Sequence, residues 1–387
     1  MIGIKDTIKA EVKNLGFSLA GFTTPGPLSS YSIYRDWVNA GYYGEMNYLA
    51  RADALQKRAD PGILVPEAKT IIVLAAAYPS PDITASSNPA NPIIAAYAQL
   101  TEDYHLAFKK ACHQVEVILK ELYESNQLEK CGENLIIRSF SDTAPILEKA
   151  LAQKAGLGWI GKNGCFINNE FGSWLLLAEV FTNLIIEPDP PFEKNFCGNC
   201  TRCISACPTQ CILPNRTLEA RKCISYLTIE HHSEIPREYR TMIKNNIFGC
   251  DACQVACPWN QKAEPDAGSL LQSSGEIAFP ETWRQTLEMD DEGFIRVFKN
   301  TPLKRLHVDR WLRNSLVAAA NSSDQHLLPI VLDILHHHSS PMVRSHAAWA
   351  VQQLAGVSAN SLLIQAVERE KDEIVRSSIQ ELLADIS

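Results

Sequence analysis

Nine of the twelve cysteines lie between residues 197 and 257, and their spacing is the strongest chemical signal in the chain. Cys197-Gly-Asn-Cys200-Thr-Arg-Cys203-Ile-Ser-Ala-Cys207-Pro208 reads C-x2-C-x2-C-x3-C-P, and Cys250-Asp-Ala-Cys253-Gln-Val-Ala-Cys257-Pro258 repeats its last three cysteines. Three closely spaced thiolates can face one [4Fe–4S] cubane, while the Cys before Pro reaches across to a second. Ile247 stands where the second run would have its first Cys, and Cys223 is the natural replacement. This assigns Cys197, Cys200, Cys203 and Cys257 to one cluster and Cys207, Cys223, Cys250 and Cys253 to the other. The chemistry expected is one-electron transfer. A zinc site would favour His ligands or two C-x2-C pairs, and gives no reason for the paired prolines. Disulfides are not expected, since no secretory segment precedes the cysteines. Cys211 is a rival to Cys223 but lies only four residues past Cys207; with Cys112, Cys131 and Cys165 it is expected to be a buried small hydrophobe.

Two further stretches could carry chemistry. Ser141-Asp142-Thr143-Ala144-Pro145 ends an apolar strand expected at 134–140. Pro145 suits the first turn of a helix expected at 145–155, so Asp142 or Thr143 is well placed to cap it. Gly156-x4-Gly161-Lys162 imitates a phosphate-binding loop. Asn163 stands where Ser or Thr should hold magnesium, and the stretch follows a helix rather than a strand, so nucleotide hydrolysis is rejected. A tight connection needing positive φ, or a loop that approaches a ligand, fits the glycines equally well.

These residues need a scaffold, and 387 residues with 46% hydrophobic and 21% charged side chains suffice for two or three domains. Helical spacing marks 4–15, which Gly16 ends, then 30–40, 45–56 and the long amphipathic stretch 102–126. Apolar runs at 70–78 and 173–182 suit buried strands, and neither approaches the length of a membrane span. A Ser-, Asn- and Pro-rich loop covers 81–92. Strands separated by helices imply an α/β or α+β sheet domain over 1–190. A ferredoxin-like two-cluster domain follows over 191–265, then a linker over 266–300. From 301 an apolar–Arg pair recurs at Leu312-Arg313, Val343-Arg344 and Val375-Arg376, about every 31 to 32 residues. That period indicates a HEAT-like α-solenoid, read either as a surface for a large partner or as a packing appendage. The net charge of −8 argues against a protein that coats nucleic acid non-specifically.

Four separate stretches together resemble the epoxyqueuosine reductase family, relatives of cobalamin-dependent reductive dehalogenases. They are Ser141-Asp142-Thr143-Ala144-Pro145-Ile-Leu-Glu148, Gly156-Leu-Gly158-Trp159-Ile-Gly161-Lys162-Asn163, Arg221-Lys222-Cys223-Ile-Ser225-Tyr226-Leu-Thr-Ile-Glu230 and Cys257-Pro258-Trp259-Asn260. The resemblance covers nearly the whole chain. It implies reduction of epoxyqueuosine to queuosine at the wobble position of tRNA, with two [4Fe–4S] clusters and a cobalamin bound in the sheet domain. It implies Asp142 as proton donor, in a turn whose burial would raise a carboxyl pKa. Arg58, Asp142, Lys162, Asn163, Ser225, Cys250 and Asp251 are the implied cobalamin contacts. Asp103-Tyr104-His105 lacks the glycine of the D-x-H-x-x-G motif of His-ligated cobalamin, as this family's corrin is held without a protein His. Residues 96–105 also depart from the Arg-Gly that many relatives carry before Asp-Tyr-His. The tRNA would meet a local basic face: Arg202, Arg216, Arg221, Lys222, Arg237, Arg240 and Lys244 outnumber five acids within 197–260, and Arg310, Arg313, Arg344 and six histidines follow. A low-potential donor such as ferredoxin or flavodoxin, the cytoplasm, no membrane and a monomer complete the expectation. The alternatives are a dehalogenase-like enzyme acting on a small molecule, or a ferredoxin-like carrier docked by its solenoid.

Overall fold

The computed structural model describes residues 3–81, 91–273 and 279–386. The chain divides into two compact units: Met1–Ser80, Leu100–Arg221 and Ala252–Ser274 form the first, and Pro81–Gln99, Lys222–Asp251 and Gly275–Ser387 the second. The first is built on a sheet of β1 (Leu19–Thr23), β2 (Thr70–Ala77), β3 (Ile137–Phe140) and β4 (Leu175–Thr182), in the spatial order β1-β2-β4-β3. Every neighbouring pair is antiparallel, which makes this unit α+β. β2 and β4 are long aliphatic runs because both of their faces are covered. On one face α3 (Glu148–Lys154) packs Leu151 and Ala152 against Ile71, Val73, Ala75, Leu177 and Phe181. The alternate residues Ile72, Leu74, Ala178 and Val180 are equally buried, on the face that α1 (Ile4–Asn14) and α2 (Tyr104–Glu124) cover. Phe17 and Phe108 meet there with ring centroids 5.6 Å apart.

The second unit is mainly helical. α4 (His307–Asn321), α5 (Leu328–His337), α6 (Pro341–Leu354), α7 (Ala359–Arg369) and α8 (Glu373–Ile386) form the expected repeats. Their core continues through Trp311, Phe294, Phe298 and Trp283 to Ile224, Ile229, Ile235, Ile247 and Phe248. The stretch 266–300, expected as a linker, therefore contains two core helices, Trp283–Leu287 and Asp291–Phe298. Thr282 and Gln285 close a capping box on the first, so its start was locally encoded.

Other boundaries also moved. The helix expected at 45–56 is a 3-10 turn, Asn47–Leu49, followed by a helix, Ala52–Ala59. β1 was missed: its five residues are short and include Gly21, where a Cβ would strike the carbonyl oxygen of Ala155. The short parallel pair of Ile93–Ile94 with Asn246–Phe248 was missed as well. The loop expected over 81–92 falls mostly outside the described residues. Among the described residues no helix is long and apolar enough to cross a membrane.

Candidate active site and cluster cysteines

Asp142 follows β3 with φ +53°, in the left-handed region that few residues other than glycine enter. The helix after it begins at Glu148 with Leu147 at its N-cap, so Asp142 is not the cap of that helix and Pro145 lies outside it. Instead the turn presents its carboxyl to α2. Tyr104 donates its hydroxyl to Asp142 Oδ2 at 2.8 Å, and His105 Nε2 lies 3.6 Å from the same oxygen. Asp103, the N-cap of α2, accepts the backbone N–H of His105 and holds its Nδ1 at 2.7 Å. A single helix start thus aims both partners at Asp142. Burial opposes a charge on His105, but the hydrogen bonds and charges of Asp103 and Asp142 outweigh it and raise its pKa to about 9.

The expected burial of Asp142 does not hold: its side chain is 55% exposed. The buried carboxyls lie behind it. Glu148 Oε1 accepts the backbone N–H of Asp142 at 2.7 Å. Burial first, and then the charge of Asp142, push Glu148 up to about 7. Glu179 is fully buried in β4, opposite Val73 and Phe140, and among the described residues neither carboxyl oxygen has a hydrogen-bond partner. Burial, then the charges of Glu148 and Asp142, hold it well above the usual carboxylate range. The sequence reading found Asp142 but missed Tyr104, His105 and Glu179 as its company. A Glu inside an otherwise apolar strand was the available signal for the last.

The four thiols Cys197, Cys200, Cys203 and Cys257 line one cavity of about 180 Å³, together with Ile167, Phe196 and Trp259. Lys162 and Asn163, expected at the corrin, line the same cavity. Lys162 Nζ donates to the carbonyls of Gly198 and Cys200 at 2.8 and 2.9 Å, and Asn163 Nδ2 donates to that of Cys253 at 3.5 Å. The glycines before them make a tight connection: Gly156 has φ +79°, and a Cβ there would lie 2.6 Å from the carbonyl oxygen of Pro190. Of the second set, Cys207 and Cys253 belong to the first unit and Cys223 and Cys250 to the second. Cys211 is buried with its sulfur 3.5 Å from that of Cys207. Cys112 is buried too, but Cys165 is half-buried and Cys131 exposed, against expectation.

Arg58 is buried as well, its guanidinium 5.4 Å from the Tyr34 ring centroid and its Nη1 without a hydrogen bond among the described residues. Ser225 is half-buried in the helix Ile224–Ile229, and Asp251 Oδ2 accepts the N–H of Ala96 at 2.8 Å. Part of the expected basic face is turned inward or paired, while Arg202, Arg221 and Lys244 stay exposed. Arg313 is fully buried and donates to the carbonyls of Leu227, His231 and Ser233 at 2.6–2.9 Å. Arg310 donates to those of Leu306 and Ile229, and Arg240 to that of Ile235. Arg344 is paired with Glu370 at 2.8 Å, and Arg237 with Glu381 at 3.1 Å. His346 is buried, accepting the N–H of Ile235. Burial and the nearby Arg240 keep it neutral.

Family models agree with this arrangement. Residues 58–143 match "Epoxyqueuosine reductase QueG, DUF1730", 196–260 a 4Fe-4S double cluster binding domain and 309–384 HEAT repeats. An epoxyqueuosine reductase of Pseudomonas aeruginosa is 35% identical over 353 residues, which cover 90% of this chain and 94% of that one. Among solved structures, an epoxyqueuosine reductase with an epoxyqueuosine-modified tyrosine tRNA stem loop superposes with TM-score 0.84 at 30% identity, covering 98% of this chain and 99% of that one. The Bacillus subtilis enzyme, solved with its catalytic aspartate loop swung out of the active site, gives 0.83 at 30% identity, with 98% of each chain covered. With a double cluster domain, HEAT repeats and near-complete coverage at this identity, the chain belongs to the epoxyqueuosine reductase family.

Proposed function

We propose that this chain reduces epoxyqueuosine to queuosine at the wobble position of tRNA, with Asp142 as the proton donor. The observation that carries the reading is the Asp142 turn, an exposed carboxyl held by Tyr104 and His105 within a chain of this family. The Bacillus subtilis relative likewise carries a catalytic aspartate on a loop. An exposed carboxyl can reach the oxygen that departs. The neighbouring imidazolium stabilises the carboxylate left once the proton has gone, and Tyr104 fixes which oxygen points outward.

The proposed division of labour is a reductase sheet domain over 1–190, a cluster domain over 191–265 and helical repeats over 301–387, with 266–300 joining them and adding two helices to the core of the repeats. Two [4Fe–4S] clusters would be held by Cys197, Cys200, Cys203 and Cys257, and by Cys207, Cys223, Cys250 and Cys253. The single cavity lined by the first four supports that set, because a cubane needs four thiolates around one space.

For cobalamin the fit rests on Arg58, whose buried Nη1, without a hydrogen bond among the described residues, suits an acceptor on the corrin side chains. With it we place Asp142, Ser225, Cys250 and Asp251. Lys162 and Asn163 remain in the proposed set only through backbone or stem atoms, since their polar ends serve the cysteine loops. When bound, cobalamin supplies a metal centre that can hold electrons, delivered singly, at one reactive atom. A low-potential donor such as ferredoxin or flavodoxin would feed the clusters of a monomeric, cytoplasmic enzyme. The test is mass spectrometry of nucleosides from epoxyqueuosine-containing tRNA treated with reduced, cobalamin-loaded protein. Queuosine should appear; unchanged epoxyqueuosine would overturn the reading.

A further inference from the structure

Pro208 and Thr209 form a turn that carries the chain back over Cys207. Gln210 N–H donates to the Cys207 carbonyl across it at 3.2 Å, with Pro208 at the turn position that its fixed φ suits. Gln210 then takes φ +49°, a left-handed conformation that returns Cys211 to the side of Cys207. Cys211 is held there: its carbonyl accepts the N–H of Glu219 at 2.8 Å, and the residue is only 3% exposed. Two buried side chains thereby meet one thiol. Cys211 Sγ lies 3.5 Å from Cys207 Sγ, and Thr209 Oγ1 lies 3.7 Å from the same sulfur.

We propose that Cys211 and Thr209 are hydrogen-bond donors that raise the reduction potential of the cluster ligated by Cys207. This rests on the assignment of Cys207 as a ligand. On iron, Cys207 is a thiolate with no proton to give. In both contacts it must therefore accept, with the Cys211 S–H and the Thr209 O–H donating. Reduction adds one electron, taken from the low-potential donor, and so one negative charge, to the cluster and its thiolates. A hydrogen bond to a more negative sulfur is stronger, and donors aimed at a ligand sulfur favour the reduced state.

Two other roles for Cys211 account for less. As a further ligand it would be a thiolate, and two thiolates at 3.5 Å would repel where a thiol beside a thiolate attracts. One sulfur of the pair thus keeps its proton. Cys207 closes the C-x2-C-x2-C-x3-C-P run and Cys211 lies beyond it, so the proton stays on Cys211. As a packing residue alone, Cys211 would leave the potential indifferent to whether a donor stands at that position. The hydroxyl of Thr209 on the same sulfur has no packing rationale of its own, since valine would fill its space.

The test uses the full chain with its clusters reconstituted anaerobically, read by iron content and by a redox titration followed with electron paramagnetic resonance. Cys211→Ala should keep about eight irons. It should lower the midpoint of one cluster by an amount equal to a loss of about threefold to tenfold in its reduction constant, tenfold being about 59 mV for one electron. Cys211→Ser supplies a hydroxyl donor and should return most of the shift, whereas Cys211→Val, which has none, should behave as Cys211→Ala does. Thr209→Val should lower the same midpoint, and it decides the matter if the Cys211 variants fail to fold. Unshifted midpoints at full iron content overturn the tuning and leave Cys207 as a ligand. An equal fall in Cys211→Ala and Cys211→Ser assigns the shift to lost packing and overturns the donor role. About four irons in Cys211→Ala, with about eight in Cys207→Ala, would make Cys211 the ligand and overturn the assignment and the tuning together.

Discussion

The groups that hold Asp142 perform different tasks. Tyr104 and His105 fix its carboxyl, Glu148 fixes its backbone, and its positive φ turns the side chain outward. Because it is not the cap of the helix that follows it, replacing it should leave the fold almost untouched. Asp142→Asn preserves size and can keep the bond from Tyr104, but it has no proton to give. Turnover of epoxyqueuosine tRNA should fall by at least about a hundredfold, with iron content and melting temperature nearly unchanged. Near-normal turnover would end the donor role. His105 offers a second measurement. Its folded pKa of about 9 lies above an unfolded value of about 6.5, so the charged ring stabilises the fold. That contribution is complete below pH 6.5 or so and disappears as the pH rises through about 9. The melting temperatures of wild type and His105→Gln should therefore differ most near pH 6 and converge by about pH 10. A gap that stays constant with pH would show that the ring only packs.

At the scale of elements, the cysteine ladder and the constellation around Asp142 were legible to very different degrees. A cluster imposes a spacing along the chain, and a spacing is what a sequence displays; hence the double cluster domain at 196–260 was readable. Tyr104 and Asp142 stand 38 residues apart and meet only because α2 and β3 are set together by the sheet. No local pattern encodes that meeting. The helices were readable from periodicity, whereas β1 was hidden by its brevity and by a glycine required where α3 ends. Gly21→Ala should accordingly cost about 1–3 kcal/mol by overpacking, measured by chemical denaturation. Cys223 and Cys211 compete for one ligand position, and the structure buries Cys211 against Cys207. After anaerobic reconstitution the wild type should hold about eight irons, Cys223→Ala about four, and Cys211→Ala about eight. Loss of a cluster in Cys211→Ala alone would reverse the assignment.

For the molecule as a whole, the helical repeats were expected to offer arginines to tRNA, and they spend Arg310 and Arg313 inward. Arg313 satisfies the carbonyls of Leu227, His231 and Ser233, while Asn314 satisfies those of Thr228 and Ile247. His346 receives the N–H of Ile235, and Arg240 packs 5.7 Å from the Trp349 ring centroid. The repeats thus hold in place the segment that runs on from Cys223 and the strand that leads to Cys250. Cutting the chain after about residue 300 would strip the second unit of most of its core and leave these carbonyls unpaired, each costing about 1–3 kcal/mol. Cys197, Cys200, Cys203 and Cys257 all belong to the first unit, whose sheet needs none of the repeats. The truncated protein should therefore keep about four irons and lose about four, with the first unit still folded. Arg313→Met in the full chain should give a milder version of the same loss, separating packing from any effect of missing surface. Full iron content in the truncated protein would show that the repeats are dispensable to the clusters, and would return them to the role of a tRNA platform. That role would then have to show itself as weaker stem-loop binding, with the salt dependence that phosphate contacts impose.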